Sequence, residues 1–286
     1  MYGTPSAPFP QRIVCLTSET TEIVFALGAG ARVVGVPGTA HRPPEARGRP
    51  KVGGFTTFRS DKILGLEPDL VLAFSDLQAD LVRDLVRAGV TVLALNQRSV
   101  GGILQAILLI GGVLGSEAQA RGLVGDIQDE VRQVREFSSG WPDRPRVYFE
   151  EWDDPLITGI GWVSELIEIA GGRDIFAELR DRKEAAGRVV EAAEVVRRNP
   201  QIIVASWCGK RVDLATIERR AGWGGIAAIR DRRLYALPSG DILSPGPSVL
   251  HGLRAFHEMV QACVAGVPAQ AVGPVEDSSS ELDWSS

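Results

Sequence analysis

Residues 115–139, GSEAQARGLVGDIQDEVRQVREFSS, predict one long helix near the middle of the chain. Ser116 is a favourable N-cap, and Gln119 three residues later completes a capping box. The Ser-Ser-Gly-Trp-Pro that follows ends the helix. Its buried face is predicted by apolar residues at helical spacing, which are Leu123, Ile127, Val131 and Val134. Because short apolar strands alternate with helices on both sides of it, this helix divides the chain into two similar halves.

The two halves share a sequence pattern in which a short helix stops at a proline and a buried strand follows. It reads ILGLEPDLVLAF at 63–74 and EVVRRNPQIIVASW at 194–207. Alternation of apolar strands with helices is typical of parallel, doubly wound sheets. We therefore predict an α/β fold with two Rossmann-like lobes, each built on a parallel sheet, joined by the long helix and holding a ligand cleft between them.

The corresponding domain boundaries follow from the same pattern. They are an N-terminal arm at 1–11, a first lobe at 12–114, the linking helix at 115–139, a second lobe at 140–266 and an acidic tail at 267–286. The tail is rich in Ser, Glu, Asp and Pro and lacks periodicity, which predicts disorder.

The composition excludes several classes of protein. Of 286 residues, 44% are hydrophobic and 23% are charged, the balance of a globular protein. A net charge of -5 argues against a nucleic-acid partner and against an anionic membrane. The three cysteines are far apart and have no metal-ligand spacing, so we expect neither a disulfide framework nor a metal site.

The N-terminal sequence shows neither the basic nor the apolar region of a secretory signal, and no apolar run is long enough to span a membrane. As written, the chain is predicted to be cytoplasmic. If its start is trimmed or misplaced, a periplasmic or cell-surface location is expected instead.

Candidate ligand-binding residues follow the predicted strands, because open parallel sheets bind ligands beyond the carboxyl ends of their strands. Those of the first lobe are Ser18, Glu19, His41, Phe55, Thr56, Phe74 and Ser75. Those of the second lobe are Trp152, Trp162, Ser206, Trp207 and Asp241. Large rings beside small polar groups suit a bulky, planar, amphipathic ligand.

Several of these residues have a second interpretation. His41 is either a metal or haem ligand or a solvent-facing loop residue, and Ser18 fits a helix N-cap better than a nucleophile. Trp207 is either a ligand contact or a core residue. Glu150 and Glu151, with His41, could also serve a metal-dependent enzyme on a two-lobed scaffold.

Much of the chain resembles the cobalamin and ferric-siderophore binding proteins of ABC importers. In the first half the resemblance is carried by RIVCLTSETTEIVFALGAGARVVGV, RPPEA, KVGGF, KILGLEPDLVLAF and GVTVLAL. In the second half it is carried by VYFEEWDDPLITGIGWVSELIEIAGGRDIF and NPQIIVAS. It covers residues 12–266, and EEWDDPLITGIGWVSEL is most similar to the cobalamin-binding members.

The resemblance implies a binding protein without a catalytic step or prosthetic group, with cobalamin or another corrinoid as ligand. Phe55, Phe74, Trp162 and Trp207 would stack on the corrin, while Thr56 and Ser206 would bond its amide arms. It also implies an ABC importer as a partner and a monomeric protein. A ferric siderophore or haem is the alternative ligand.

Two positions bear on the partner and on the ligand. Asp80 matches the acidic residue with which the first lobe of this family docks on its importer. The family's Arg-Pro-Gly-Pro-Arg near the closing helix reads SPGPS at 244–248. The loss of two arginines argues against a carboxylate-rich siderophore or haem.

Overall fold

The computed structural model describes residues 8–54 and 57–267. Within them the chain forms two compact units. The first contains the residues up to Gln97 together with Gly101–Asp126, and the second contains Arg98–Val100 and the residues from Ile127 onward. No helix in the described ranges is long and apolar enough to cross a membrane.

The first unit is built on a four-stranded parallel sheet of order β2-β1-β3-β4. Every residue of β3 is buried, as expected for a strand covered on both faces. The strands are β1 (Ile13–Cys15), β2 (Val33–Gly35), β3 (Leu70–Phe74) and β4 (Val92–Leu95).

The helices that follow these strands begin close to the predicted positions. They are α1 (Ser18–Ala26), α2 (Ser60–Leu64), α3 (Ala79–Arg87) and α4 (Val100–Leu114). Helix α1 differs from the prediction in one detail, because Thr17 occupies the N-cap position and Ser18 is the first helical residue. The Ser18 hydroxyl instead donates to the backbone oxygen of Thr39, 3.0 Å away.

The predicted long helix is present as α5 (Glu117–Ser139). Its residues up to Asp126 belong to the first unit and the remaining residues belong to the second. It follows α4 after a tight turn in which the Ser116 amide donates to the Gly111 carbonyl, 2.8 Å away. A Cβ on Gly111 would lie 2.4 Å from the Cβ of Ala120. The close approach of α4 and α5 therefore requires glycine at this position.

Replacing Gly111 with alanine should lower the free energy of unfolding by ~1–3 kcal/mol, because the added methyl overpacks the contact between α4 and α5. Gly112 is the matched control, since a Cβ there meets no atom within 4 Å. Gly112→Ala should stabilise by up to ~1 kcal/mol through helix propensity alone. Urea unfolding of the two variants measures the difference, and equal stabilities would show that the two helices can separate without cost.

The second unit contains a five-stranded sheet of order β6-β5-β8-β9, with β7 paired to the start of β5. All its pairs are parallel except β5 with β6, which form a hairpin. The strands are β5 (Arg146–Asp153), β6 (Leu156–Thr158), β7 (Arg173–Asp174), β8 (Ile202–Ala205) and β9 (Leu234–Ala236). This antiparallel hairpin departs from the wholly parallel sheet that the sequence predicted for the lobe.

Six helices complete the second unit, and α11 closes the described chain. They are α6 (Gly161–Ile169), α7 (Ala192–Arg198), α8 (Leu214–Glu218), α9 (Ala227–Arg230), α10 (Ser239–Ile242) and α11 (Val249–Val264). A buried cluster that includes Tyr148, Trp207 and Trp223 packs around β5 and β8.

The repeated helix-proline-strand pattern has the same structure in both units. Glu67 and Asn199, each directly before the proline, have φ values of 47° and 46° and lie in the left-handed region. The strands that follow, β3 and β8, each pair with two parallel neighbours. The sequence recurrence therefore marks the same inner strand of each sheet.

The predicted domain boundaries place the whole linking helix outside both lobes, whereas the contacts within the chain divide α5 between the two units. The predicted N-terminal arm is described only from Pro8, and of the predicted tail only Val267 lies within the described residues.

Candidate functional site

The carboxyl edge of the first sheet carries four of the predicted residues. Ser18 and Glu19 open α1 just after β1, while Phe74 ends β3 and Ser75 follows it. Ser75 has φ 65°, and its hydroxyl accepts a hydrogen bond from the amide of Leu77 at 3.2 Å. Phe74 and Ser75 are buried, and Ser18 is half-buried.

Glu19 is the unusual group of this edge. Its side chain is buried, and Oε1 has no hydrogen-bond partner among the described residues. Burial raises the pKa of the Glu19 carboxyl to about 7, against the opposing effect of the Thr17 hydroxyl. A carboxyl group with a pKa of about 7 is neutral in about half of the molecules at pH 7, and its neutral form can donate a hydrogen bond as well as accept one.

The other first-unit candidates have different environments. His41 is exposed in its loop, and its carbonyl accepts a hydrogen bond from Arg47. Phe55 and Thr56 lie outside the described residues. Asp80 is exposed on α3, where it pairs with Arg83 at 2.7 Å.

The carboxyl edge of the second sheet is organised around Glu150 of β5, whose side chain is completely buried. Arg220 donates two hydrogen bonds to the Glu150 carboxylate, and the indole Nε1 of Trp207 donates a third over 3.1 Å. Burial raises the pKa of Glu150, while Arg220 and Trp207 oppose that shift. The guanidinium of Arg220 also lies 4.7 Å from the centre of the Trp223 ring.

The next two acidic side chains of this edge are also paired. Arg188 is buried and holds Glu151 with two hydrogen bonds of 2.6 and 3.0 Å. Lys210 pairs with Asp153 at 2.6 Å. The Lys210 ammonium also lies 5.3 Å from the ring centre of Trp152 and 4.7 Å from that of Trp207.

The structure assigns core positions to two tryptophans predicted to stack on a ligand. Trp207 is only 3% exposed, and its indole nitrogen is committed to Glu150. Trp162 is likewise buried, and its Nε1 donates to the carbonyl of Ile242 at 2.8 Å. Neither ring presents a free face, so a ligand could stack on them only if these contacts were broken. Trp152 is half-buried and is the more accessible ring of this edge.

The remaining second-unit candidates are buried polar groups. Ser206 directly follows β8, and its hydroxyl has no hydrogen-bond partner in the described part of the chain. Asp241 lies in α10, with His251 Nδ1 3.6 Å from its Oδ1. Asp241 is buried beside α11, so it contributes to the packing of this region in addition to any contact with a ligand.

The pairing of the carboxylates weakens the metal-enzyme interpretation. Glu150 is occupied by Arg220 and Trp207, while Glu151 is occupied by Arg188 and by the amide of Ile160 at 3.0 Å. Within residues 8–54 and 57–267, no three His, Cys, Asp or Glu side chains are grouped so that they could hold a metal ion.

Sequence reasoning missed the cations of this edge, namely Arg188, Lys210 and Arg220. The acidic run EEWDD at 150–154 indicated that positive partners would be needed if the strand end were buried. It could not indicate which of 31 lysines and arginines supplies them, because Glu151 and Arg188 are 37 residues apart and Glu150 and Arg220 are 70 residues apart.

Comparison with known proteins agrees with this architecture. Residues 13–240 match the family described as "Periplasmic binding protein". The chain belongs to this family. Periplasmic binding proteins of this kind bind a substrate for an ABC transporter and catalyse no reaction, so the enzyme alternative is set aside.

Individual members of the periplasmic binding protein family resemble the chain over most of its length. The uncharacterized ABC transporter substrate-binding lipoprotein YvrC of Bacillus subtilis is 29% identical over 261 residues, covering 88% of this chain and 80% of YvrC. A cobalamin-binding protein of Halobacterium salinarum is 26% identical over 262 residues, covering 87% of this chain and 70% of its own length.

A solved structure extends the likeness to the fold. A periplasmic heme binding protein from Pseudomonas aeruginosa matches with a TM-score of 0.76 at 21% identity. The match covers 88% of this chain and 93% of that protein. The predicted α/β fold with two parallel-sheet lobes is therefore confirmed as that of periplasmic binding proteins.

Proposed function

We propose that the protein is the substrate-binding component of an ABC importer and that its ligand is a corrinoid such as cobalamin. The wider class, a substrate-binding protein for a bulky metal chelate, follows from the family and its members. The choice of corrinoid is supported by the similarity to the Halobacterium salinarum protein. It is supported further by the charge distribution at the second carboxyl edge.

The pairing of charges at this edge carries the proposal. Glu150, Glu151 and Asp153 each pair with a cationic side chain of their own unit. The negative charges of the carboxylates and the positive charges of their partners therefore cancel. Arginines committed to buried carboxylates are poor receptors for the carboxylates of haem or of a ferric siderophore. A corrin ring is bordered mainly by amide arms, which need neutral hydrogen-bonding groups and apolar faces instead.

We further propose which residues contact the ligand. Trp152, Phe55 and Phe74 would supply apolar surface, while Ser206 and Glu19 have buried oxygens without hydrogen-bond partners in the described structure. Trp162 and Trp207 would support the neighbouring contacts from within the core. The complete proposed set is Ser18, Glu19, His41, Phe55, Thr56, Phe74, Ser75, Trp152, Ser206 and Asp241, with Trp162 and Trp207 behind it.

Haem is the second candidate, because the fold is shared with the heme binding protein of Pseudomonas aeruginosa. In this case His41, which is exposed, would be the axial iron ligand. Arg211, exposed beside Lys210, would meet a propionate. This alternative predicts that His41→Ala shifts the visible absorption spectrum of a haem complex, because the iron loses its axial ligand.

Asp80 is proposed as the first-lobe contact with the importer. Its carboxylate is exposed, and its partner Arg83 lies on the same helix surface, so the pair is weak and easily exchanged. YvrC is a lipoprotein and the heme binding protein of Pseudomonas aeruginosa is periplasmic, so we propose that this protein likewise acts on the outer side of the cytoplasmic membrane.

Trp152→Ala should weaken cyanocobalamin binding roughly 2- to 10-fold, the usual effect of losing one stacked ring. Isothermal titration calorimetry of the purified full chain measures this change. Phe137→Ala is the matched control, since Phe137 is an exposed aromatic on α5 whose ring contacts Trp141 and His257 rather than a candidate ligand residue.

Haemin and a ferric siderophore are titrated in parallel. Tighter binding of either ligand than of cyanocobalamin would overturn the corrinoid assignment while leaving the importer role intact. If none of the three binds, the metal-chelate proposal itself is wrong.

A further inference from the structure

A cavity of about 360 Å³ lies within the second unit, at the edge of the sheet where β5 and β7 begin. Arg146, the first residue of β5, lines this cavity, and Trp152 lies six positions further along the same strand. A strand advances ~3.3 Å per residue, so the two positions are ~20 Å apart. The cavity is therefore separate from the candidate ligand-binding residues of the carboxyl edge.

Two arginines of this cavity lie side by side. The register of the parallel pair places Arg146 of β5 opposite Arg173 of β7. Residues in register project from the same face of a sheet, and both of these arginines line the cavity. Like charges directly opposite each other on neighbouring strands are destabilising. A bound anion that neutralised both guanidinium groups would remove this repulsion.

Neither of these two guanidinium groups is neutralised by a residue that the structure describes. Arg146 donates only to backbone oxygens, from Nε to the carbonyls of Arg198 and Asn199 over 3.2 and 2.9 Å. Arg173 is exposed, and its side chain has no hydrogen bond or ion pair with any described residue. A carbonyl group carries no net charge, so both positive charges remain available to a ligand.

The carboxylates that line the same cavity have their own partners or are disfavoured as anions. Glu178 pairs with Arg198 at 2.6 Å, and Glu168 lies 3.4 Å from a nitrogen of Arg144. Asp174 is buried, and burial raises the pKa of its carboxyl, which opposes the charged form. The two arginines in register are thus the charges of this cavity that lack a counter-ion.

We propose that the cavity binds a small organic anion whose phosphate or carboxylate group lies between the guanidinium groups of Arg146 and Arg173. The planar guanidinium offers two parallel donors that match such a group. The volume falls within the range of small-molecule sites, so there is room for an organic part. Hydroxyl groups of the ligand can donate to Glu168 and Glu178, which border the same space. This inference does not depend on which ligand binds at the carboxyl edge.

Isothermal titration calorimetry of the full chain with citrate and with glycerol 3-phosphate tests the proposal. We expect at least one of these hydroxylated anions to bind saturably, with a dissociation constant below ~1 mM. Arg173→Gln should weaken this binding at least about tenfold, since it removes one of two charge-assisted contacts. Arg135→Gln is the matched control, because Arg135 is an exposed arginine on α5 and does not line the cavity. This control should bind the anion like the unsubstituted protein.

Inorganic phosphate, titrated in parallel, distinguishes a bare oxyanion from an organic one. It should bind more weakly, because it lacks the groups that would reach Glu168 and Glu178. Tighter binding of inorganic phosphate than of either organic anion would overturn the organic part of the assignment.

Thermal unfolding gives an independent measurement on the same variants. Without an added anion, Arg173→Gln should unfold at a higher temperature than Arg135→Gln, because it removes the repulsion between the two arginines in register. A saturating anion should raise the midpoint of the unsubstituted protein and of the control, but not that of Arg173→Gln. Equal rises in all three proteins, the absence of saturable binding, or binding that survives Arg173→Gln unchanged would each overturn the proposal.

Discussion

Replacing Arg220 with methionine is expected to lower the free energy of unfolding by ~3–5 kcal/mol, the usual cost of leaving a buried charge without its partner. Glu150 is completely buried, and two hydrogen bonds from Arg220 compensate for the loss of its hydration. In the variant the indole of Trp207 still donates to the carboxylate, but the positive charge beside it is lost. Equilibrium unfolding in urea measures the loss.

The control is Arg197→Met, which breaks an ion pair of similar geometry on the surface. Arg197 pairs with Glu194 on α7, and its side chain is exposed. Exposed pairs of this kind contribute at most ~1 kcal/mol. If the two variants lose the same stability, Glu150 is not buried in solution as it is in the structure.

The Arg220 variant should also be sensitive to pH in a defined direction. Burial already raises the pKa of Glu150, and removal of Arg220 raises it further. A carboxyl group with a raised folded-state pKa stabilises the protein at low pH and loses that contribution as the pH rises. The destabilisation by Arg220→Met should therefore shrink as the pH falls towards the ordinary carboxyl pKa.

Glu19→Gln is expected to stabilise the protein above pH 7 by up to ~3 kcal/mol. Burial raises the pKa of Glu19 from its ordinary value of 4.5 to about 7, and each pH unit of this difference corresponds to ~1.4 kcal/mol. Below pH 4.5 the Glu19 carboxyl is neutral in both the folded and the unfolded state, and a neutral carboxyl is compatible with burial. As the pH rises from 4.5 to about 7, the unfolded state ionises first and the folded state loses stability relative to it.

Glutamine keeps the shape of the side chain and cannot ionise. The advantage of Glu19→Gln should therefore vanish below about pH 4.5 and reach its full size above about pH 7. Unfolding in urea across this pH range measures the profile. A variant that is less stable than the unsubstituted protein at every pH would show that the folded state holds Glu19 as a hydrogen-bonded carboxylate.

Glu194→Gln is a control for which we expect the opposite change in stability. Hydrogen bonds from Arg197, and then from Arg198, lower the pKa of Glu194 to about 2. A lowered pKa contributes stability above the ordinary carboxyl pKa and loses it as the pH falls. Glu194→Gln should consequently be less stable than the unsubstituted protein at neutral pH, and the two should converge in acid.

Much of the fold could be predicted from the sequence because it depends on local patterns. The spacing of Leu123, Ile127, Val131 and Val134 predicted α5 over nearly its whole length. The repeated helix-proline-strand pattern predicted the equivalent strands β3 and β8. Backbone geometry sets the periods of helices and strands, so short stretches of sequence carry this information.

The candidate site was predicted less completely. Ser75 and Ser206 lie directly after strands, and Ser18 and Glu19 open the helix that follows β1, as parallel topology requires. For Trp207 the sequence left a ligand contact and a core position open, and the structure buries its side chain. Whether a side chain at a strand end faces solvent depends on which distant residues pack over it.

The sequence by itself therefore determined the order of helices and strands, the edges at which ligand-binding residues are expected, and the resemblance to a family. Only the tertiary structure decided which side chains on those edges are committed to the core. Trp162 bonds to Ile242, 80 residues away, and Glu150 to Arg220, 70 residues away. Such pairs form because burial leaves a polar group no water to bond, and any suitable donor brought near by the fold can satisfy it.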